Sequence, residues 1–481
     1  MDDNYRQTLG LLNKALRKDN KSLKNRIQSI LLDNTFLEKE VIPVFPRFPI
    51  IPNERCGVWY CNPETFKQTS YFKSTDGHTN QWDFSLRRLN LHLLPTISHN
   101  GGLIIVDSTR RGKRMPDALS KTVPLWCAVL NSLMLEHLGR RNEQVLFCPP
   151  NTVSRQECAQ MEAKIPQLVE KFRALKVISG AELARALGNK ILRPLWVYPG
   201  SSLLHSQRDV FTGELSSSTW EAPEAAGFIP LVLCTVSYQC QDGVDNRNGF
   251  IYVQGAADDH ELWSKGLTAS LLWRSVEVFR DPQLSDEVLE GCVVSQLNAD
   301  KTLMHSHHDL TKLVVTDALT NNLHLGKISA NIELTKAFQE QLLASYSLVV
   351  ILSETVELAQ PTGTEEPSPN IRVIQLSSGS KKSSKALRVQ LITLCPLIES
   401  YLREALPVLV CCNDGKDMSV CVLLSVLCRN YDAEDWKLGQ PISIHKTIIR
   451  KHLSRMIAKV DGRNINPARA SLNSVNSYLM Q

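Results

Sequence analysis

Nine consecutive residues, Cys411-Cys412-Asn413-Asp414-Gly415-Lys416-Asp417-Met418-Ser419, follow one apolar run and precede another. Where a strand passes through a short polar loop into a helix, the loop N–H groups and the helix N-terminus converge on one point and favour an anion there. Cys412 ends the strand, and the same field would favour its thiolate as a nucleophile. Gly415, Lys416 and Ser419 are candidates to contact phosphate, and Asp417 is a candidate base.

Three clusters nearer the N-terminus also carry chemistry. In Lys73-Ser74-Thr75-Asp76-Gly77-His78 a carboxylate stands two residues from an imidazole. Asp76 and His78 are candidates for a general base and its orienting partner, with a capped turn as the alternative. Trp82, Arg87 and Arg88 follow, and both arginines are candidate RNA contacts. The second cluster, Asp107-Ser108-Thr109-Arg110-Arg111-Gly112-Lys113-Arg114-Met115-Pro116-Asp117, succeeds the strand-like run 103–106. Substrates of α/β sheets gather at the carboxyl ends of strands, so Arg110, Arg111, Lys113 and Arg114 are candidate phosphate ligands. In the third, Gln254-Gly255-Ala256-Ala257-Asp258-Asp259-His260, the adjacent carboxylates Asp258 and Asp259 suit Mg²⁺ completed by water and substrate phosphate. Helix N-capping by either Asp is the alternative. Between His445 and Arg469 stand Lys446, Arg450, Lys451, Arg455, Lys459, Arg463 and Arg469 against the single acid Asp461. That tail reads as a surface for RNA phosphates or as a solvated face.

Elements to position these residues are legible in the periodicity. The first 30 residues read as a basic helix, with Leu9, Leu12, Leu16, Leu23, Ile27 and Ile30 on one stripe and Lys24 and Arg26 off it. Strand-like runs fall at 103–106, 231–238 and 249–253. A helix is expected over 154–174, opened by a capping box of Ser154 and Glu157. Beyond a polar stretch with His305, His307 and His308, the pattern alternates. It gives strands at 322–325, 348–352, 373–376 and 406–411, and helices at 334–345, 384–404 and 419–430. Such alternation predicts a layered α/β domain. The expected division is 1–315, a mixed α/β domain of unassigned fold, and 316–481, a second α/β domain.

Composition narrows the classes. At 481 residues with 43% hydrophobic side chains, the chain can bury more than one core. Apolar runs such as 406–412 and 420–428 fall short of a membrane span. Thirteen cysteines without regular spacing, and a start at Met1-Asp2-Asp3 without an apolar leader, lead to the expectation of a reduced, cytoplasmic chain that meets no membrane. A net charge of +5 is too small to diagnose RNA binding, so the local clusters must carry that argument. Zinc cages and a Walker A loop are not expected, because the required ligand spacings do not occur.

The segment 320–430 resembles the dual-specificity and myotubularin-like branch of the protein tyrosine phosphatase fold. The likeness rests on Leu323-His324-Leu325-Gly326, Leu334, the strand 349–352 and the loop 412–419, which is similar to Cys-x5-Arg-Ser/Thr. Cys412 takes the nucleophile position. Met418 stands where that family has Arg, so the bidentate phosphate clamp is missing. After 373–376 the chain reads Ser377-Ser378-Gly379-Ser380-Lys381-Lys382, without the general-acid Asp. Phosphate-ester hydrolysis is therefore rejected.

Taken together, the clusters resemble the fungal initiator tRNA phosphoribosyltransferases. The resemblance is carried by Phe72-Lys73-Ser74-Thr75-Asp76-Gly77-His78, by Val106 through Lys113 and Pro116-Asp117-Ala118-Leu119-Ser120, by Gln254 through Glu261, by Cys412 through Asp417, and by Asn466-Pro467-Ala468-Arg469-Ala470-Ser471-Leu472. It implies transfer of a 5-phosphoribosyl group from phosphoribosyl pyrophosphate to the ribose 2′-OH of adenosine-64, in the T-stem of initiator methionine tRNA. It also implies Mg²⁺ with the donor, and a monomer is expected. Asp76, His78 and Asp417 remain open as the base. The rival expectation is a non-catalytic, tRNA-binding pseudophosphatase.

Overall fold

Near-continuous apolar runs of Val, Ile and Leu are the pattern of strands buried on both faces, and two largely parallel sheets are built from them. The computed structural model describes residues 21–480 apart from positions 55, 74–81, 87, 111, 206–211, 213, 215–218, 222, 224–226, 305–312, 360–368, 380, 434, 440–442 and 461–464. Asp76, His78, Arg87 and Arg111 thus lie outside the described residues, as do the helix expected before residue 21 and the histidines at 305, 307 and 308.

The chain divides into two compact units. The first comprises residues up to Ser85, Leu93–Phe172 and Ile178–Ala299; the second comprises Leu86–His92, Arg173–Val177 and Asp300–Gln481. In the first, β1 (Ile50–Pro52), β2 (Leu103–Asp107), β3 (Ile191–Val197) and β4 (Phe228–Thr235) form a parallel sheet of order β1-β2-β4-β3. A hairpin of β5 (Val244–Arg247) and β6 (Phe250–Val253) follows. The helix Leu23–Phe36 starts at Ser22, whose hydroxyl accepts the Asn25 N–H, and buries Ile27 and Ile30 completely. It also fastens the hairpin: Val253 N–H donates to Ser29 Oγ at 2.8 Å and Ile251 N–H to Asn25 Oδ1 at 3.0 Å.

Two local expectations change. The helix Arg155–Arg173 keeps half of its capping box: Glu157 N–H donates to Ser154 Oγ, while the Glu157 carboxylate goes to Lys121 and to Trp82 Nε1. A long-range ion pair has outcompeted the local return bond. The longest apolar helix is not one of the expected runs. Among the described residues it is Ala118–His137, long and apolar enough by composition to cross a membrane and mostly buried in this unit. Ser120, Lys121, Thr122 and Asn131 interrupt it, so the sequence shows only the short unbroken run 123–130.

In the second unit, β7 (Val314–Ala318), β8 (Leu323–Ile328), β9 (Ile332–Leu334), β10 (Leu348–Leu352), β11 (Val356–Leu358), β12 (Ile371–Ile374) and β13 (Val408–Cys412) succeed one another. Five make a sheet of order β12-β10-β13-β8-β7, antiparallel only at β7. The period-2 alternation of strands fixes what each side chain meets. Leu348, Val350, Val408, Val410 and Cys412 enter the core covered by the helices Lys381–Arg403, Met418–Asn430, Lys446–Lys459 and Arg469–Leu479. Val349, Ile351, Leu409 and Cys411 enter the opposite core under the helix Lys336–Ser345. Between β8 and β13 only a glycine fits at 326, because a Cβ there would lie 2.3 Å from Cys411 Sγ. Gly326→Ala is expected to lower stability by about 1–3 kcal/mol through overpacking. Urea unfolding of the full chain reads this, and an unchanged midpoint would contradict the packing.

Candidate functional site

The strand β13 delivers Cys412 to the start of the polar loop, and the helix Met418–Asn430 begins at its end. One carboxylate organises what lies between. Asp414 Oδ1 accepts the N–H of Lys416 at 2.9 Å and of Asp417 at 3.3 Å, and the Cys412 thiol donates to it at 3.1 Å. Ser419 Oγ lies 2.9 Å from Cys412 Sγ. The loop amides therefore already hold an anion, supplied by the chain itself.

This changes the reading of Cys412. Burial first, and the Asp414 charge second, push its thiol up to about 11, against the smaller opposing pull of Ser419. The expected thiolate is a neutral thiol, because desolvation and a like charge outweigh the field of the loop. Asp417 is not poised as a base either. It is buried, with Oδ2 accepting the Gly379 N–H at 3.1 Å and Oδ1 the Ala468 N–H at 3.0 Å. It ties the segment after β12, where a phosphatase keeps its general acid, to the chain before the last helix. Met418, at the clamp position, is fully buried in the core. A phosphate at Gly415, Lys416 and Ser419 would have to displace the Asp414 carboxylate.

In the first unit the loop after β2 is built in detail. Asp107 is buried and accepts from Asn53 Nδ2 at 2.8 Å and from the Ser108 N–H at 2.8 Å. Thr109 N–H donates to Ser237 Oγ, just beyond β4, at 3.1 Å. Arg110 reaches the turn after β6: its Nε lies 3.1 Å from Asp258 Oδ2 and its NH1 2.9 Å from Asp259 Oδ2. Lys113 is 3.7 Å from Asp117, and Arg114 stacks over Tyr198 at 5.3 Å. The second and third clusters are thus one site, as side chains 149 positions apart meet. Neither Asp caps a helix. Asp259 precedes the short turn His260–Leu262 without a side-chain capping bond, and Asp258 also accepts the Cys56 thiol at 2.9 Å.

Arg26 escaped the sequence reading, which put it on a solvated face. Its NH1 donates to Ala256 O at 2.6 Å and Asp258 O at 3.2 Å, and its guanidinium lies over Trp263 at 5.2 Å. These partners are more than 200 positions away, so no local spacing signals them.

The basic tail divides. Lys446, Arg450 and Arg469 are exposed, whereas Lys451 and Arg455 are half-buried, Arg455 over Trp436 at 5.3 Å with NH1 on Ala433 O. Arg88 donates to Asn466 Oδ1 at 2.7 Å. His452 lies wholly buried on this helix, accepts from Trp436 Nε1 on Nδ1, and among the described residues leaves Nε2 without a hydrogen-bond partner. Burial, then the charges of Arg455 and Lys451 against Asp432, lowers it to about 4.

A sheet-and-loop unit of phosphatase type whose cradle is filled by its own carboxylate, joined to an α/β unit with a charged cleft at the carboxyl end of its sheet, defines a class that is phosphatase-like without phosphatase machinery. Residues 16–313 match the family model described as the Rit1 N-terminal domain, and residues 370–479 match the Rit1 DUSP-like domain. The chain belongs to the Rit1 family. It is 50% identical over 495 residues to tRNA A64-2′-O-ribosylphosphate transferase of Saccharomyces cerevisiae, covering 100% of this chain and 96% of that one. An uncharacterised protein of Schizosaccharomyces pombe is 34% identical over 475 residues, covering 95% and 94%. Among solved structures it is similar to the tyrosine phosphatase OH1 of Orf virus, at 14% identity and a TM-score of 0.25 over 34% of this chain and 87% of that one. It is also similar to Tk-PTP, at 15% identity and a TM-score of 0.22 over 34% and 97%.

Two outcomes are expected. Iodoacetamide at neutral pH should alkylate Cys412 far more slowly in the folded chain than in the unfolded one; mass spectrometry reads this, and faster labelling when folded would contradict a neutral thiol. His452 titrates near 4 when folded and at its ordinary, higher value when unfolded, so the unfolded chain takes up the proton first as the pH falls. Stability present above pH ~6.5 is then lost towards pH ~4, by up to about 3 kcal/mol. Urea midpoints against pH should lose that slope in His452→Asn.

Proposed function

We propose that this chain transfers a ribosylphosphate group to the 2′-O of adenosine 64 in a tRNA. The observation that carries this reading is 50% identity over the full length to the Saccharomyces cerevisiae protein of that name. The clusters 107–117 and 254–260 lie within the first matched domain and 412–419 within the second. In finer detail, the acceptor is initiator methionine tRNA, the donor is phosphoribosyl pyrophosphate, and the enzyme acts as a cytoplasmic monomer. Exposed Lys446, Arg450 and Arg469 supply cations of the kind that contact RNA phosphates.

The chemistry sets what the chain must do. The bond from C1 of the ribose to pyrophosphate breaks, the bond from C1 to the acceptor O2′ forms, and the hydroxyl proton passes to a base or to water. Charge accumulates on the departing pyrophosphate, which needs cations. Asp258 and Asp259 are hard oxygen donors of the type Mg²⁺ takes, and among the described residues no group of three His, Cys, Asp or Glu forms a complete cage. They fit a Mg²⁺ that completes its shell with water and donor phosphate. When bound, that ion would neutralise charge on the leaving group. The closed loop at Cys412 favours a second reading, a tRNA-binding chain without catalysis.

Labelled phosphoribosyl pyrophosphate, incubated with initiator or elongator methionine tRNA with and without Mg²⁺, separates the two. Label on the initiator alone, dependent on Mg²⁺, is expected. No label from folded protein and unmodified tRNA would leave the non-catalytic reading.

A further inference from the structure

We infer that the diphosphate of the ribosyl donor binds in the first unit, at the carboxyl ends of β2 and β4, and that Arg110 exchanges its carboxylate partners for that diphosphate. This rests on the transfer reading above. A cleft of about 300 Å³ lies there, lined among others by Lys21, Arg26, Arg110, Gln254, Asp258 and Asp259. Its size is at the lower end of small-molecule sites, and its position is where ligands of parallel sheets gather.

The walls are rigid. Gln254 Oε1 accepts the N–H of Gly112 at 2.8 Å, and its Nε2 donates to Lys113 O at 2.7 Å. That one amide side chain thus locks the turn after β6 to the loop after β2. At Gly255, with φ of +68°, a Cβ would come within 2.8 Å of Thr109 O, so the two segments touch backbone to backbone. Asp259 holds φ of +51°, a left-handed conformation that costs a non-glycine residue free energy and here sits at the cleft. Arg26 is immobilised by two carbonyls and an indole.

Arg110 differs from Arg26. It is one-third exposed, and it pairs with the carboxylates of Asp258 and Asp259, the latter 61% exposed. A guanidinium offers the planar fork that pairs with phosphate oxygens, so diphosphate can replace the carboxylates as its partner. Three cations (Lys21, Arg26, Arg110) face three acids (Asp242, Asp258, Asp259) in the lining. Bare diphosphate would meet those acids with like charge. A divalent cation arriving with it would stand between the two, so the ligand is the metal-bound form.

Calorimetric titration of the full chain with inorganic pyrophosphate, with and without Mg²⁺, tests this. Mg²⁺-pyrophosphate should bind wild type, bare pyrophosphate should not, and Arg110→Gln or Asp259→Asn should weaken binding by about tenfold or more. Lys416→Ala, in the loop of the second unit, should leave affinity unchanged. Circular dichroism establishes that each variant is folded. Equal binding by wild type and Arg110→Gln, no binding by wild type, or loss only in Lys416→Ala would overturn the proposal. Transfer that persists while donor affinity ignores Arg110→Gln overturns this site alone. Arg110-dependent binding without any transfer to tRNA overturns the transfer reading alone.

Discussion

The carboxylate of Asp414 on the amides of Lys416 and Asp417 is the interaction on which the character of the second unit depends. An anion-binding loop needs an anion, and this one carries its own at fixed distance, without the entropic cost of capturing a ligand. That charge lies 3.1 Å from Cys412 Sγ and, with burial, keeps the thiol neutral. Asp417 ties Gly379 and Ala468 to the loop, and Met418 adds apolar surface to the core where an arginine would need a partner.

The first unit shows the opposite arrangement. Its charged groups face a cleft, and its acids and bases neutralise one another through Arg110 rather than through backbone amides. Pairs of this kind are exchangeable at modest cost when partly exposed, whereas the bonds around Asp414 close a loop. The first unit thus presents partly exposed charge at the carboxyl end of its sheet, and the second a closed loop and the basic helix Lys446–Lys459.

Much of this was legible in the sequence. The continuous apolar runs 348–352 and 406–411 mark strands, the loop at 412–419 falls between strand and helix, and the family resemblance agrees with the matched domains. Local rules failed where distant groups competed. Glu157 left its capping box for Lys121, and Arg26 left the solvent for carbonyls on the far side of the chain. Spacing also showed Asp414 inside a phosphate-type loop, yet could not show that its side chain turns inward. Orientation is decided by which amides lack another partner, and that depends on tertiary structure.

Tungstate, an oxyanion that fits phosphatase loops, tests the central claim directly. Calorimetric titration should show no binding to the Cys412 loop of the wild-type chain at millimolar concentration, and binding should appear in the Asp414→Ala, Met418→Arg double variant. Tight tungstate binding by wild type that Ser419→Ala or Cys412→Ser abolishes would contradict a loop closed by its own carboxylate.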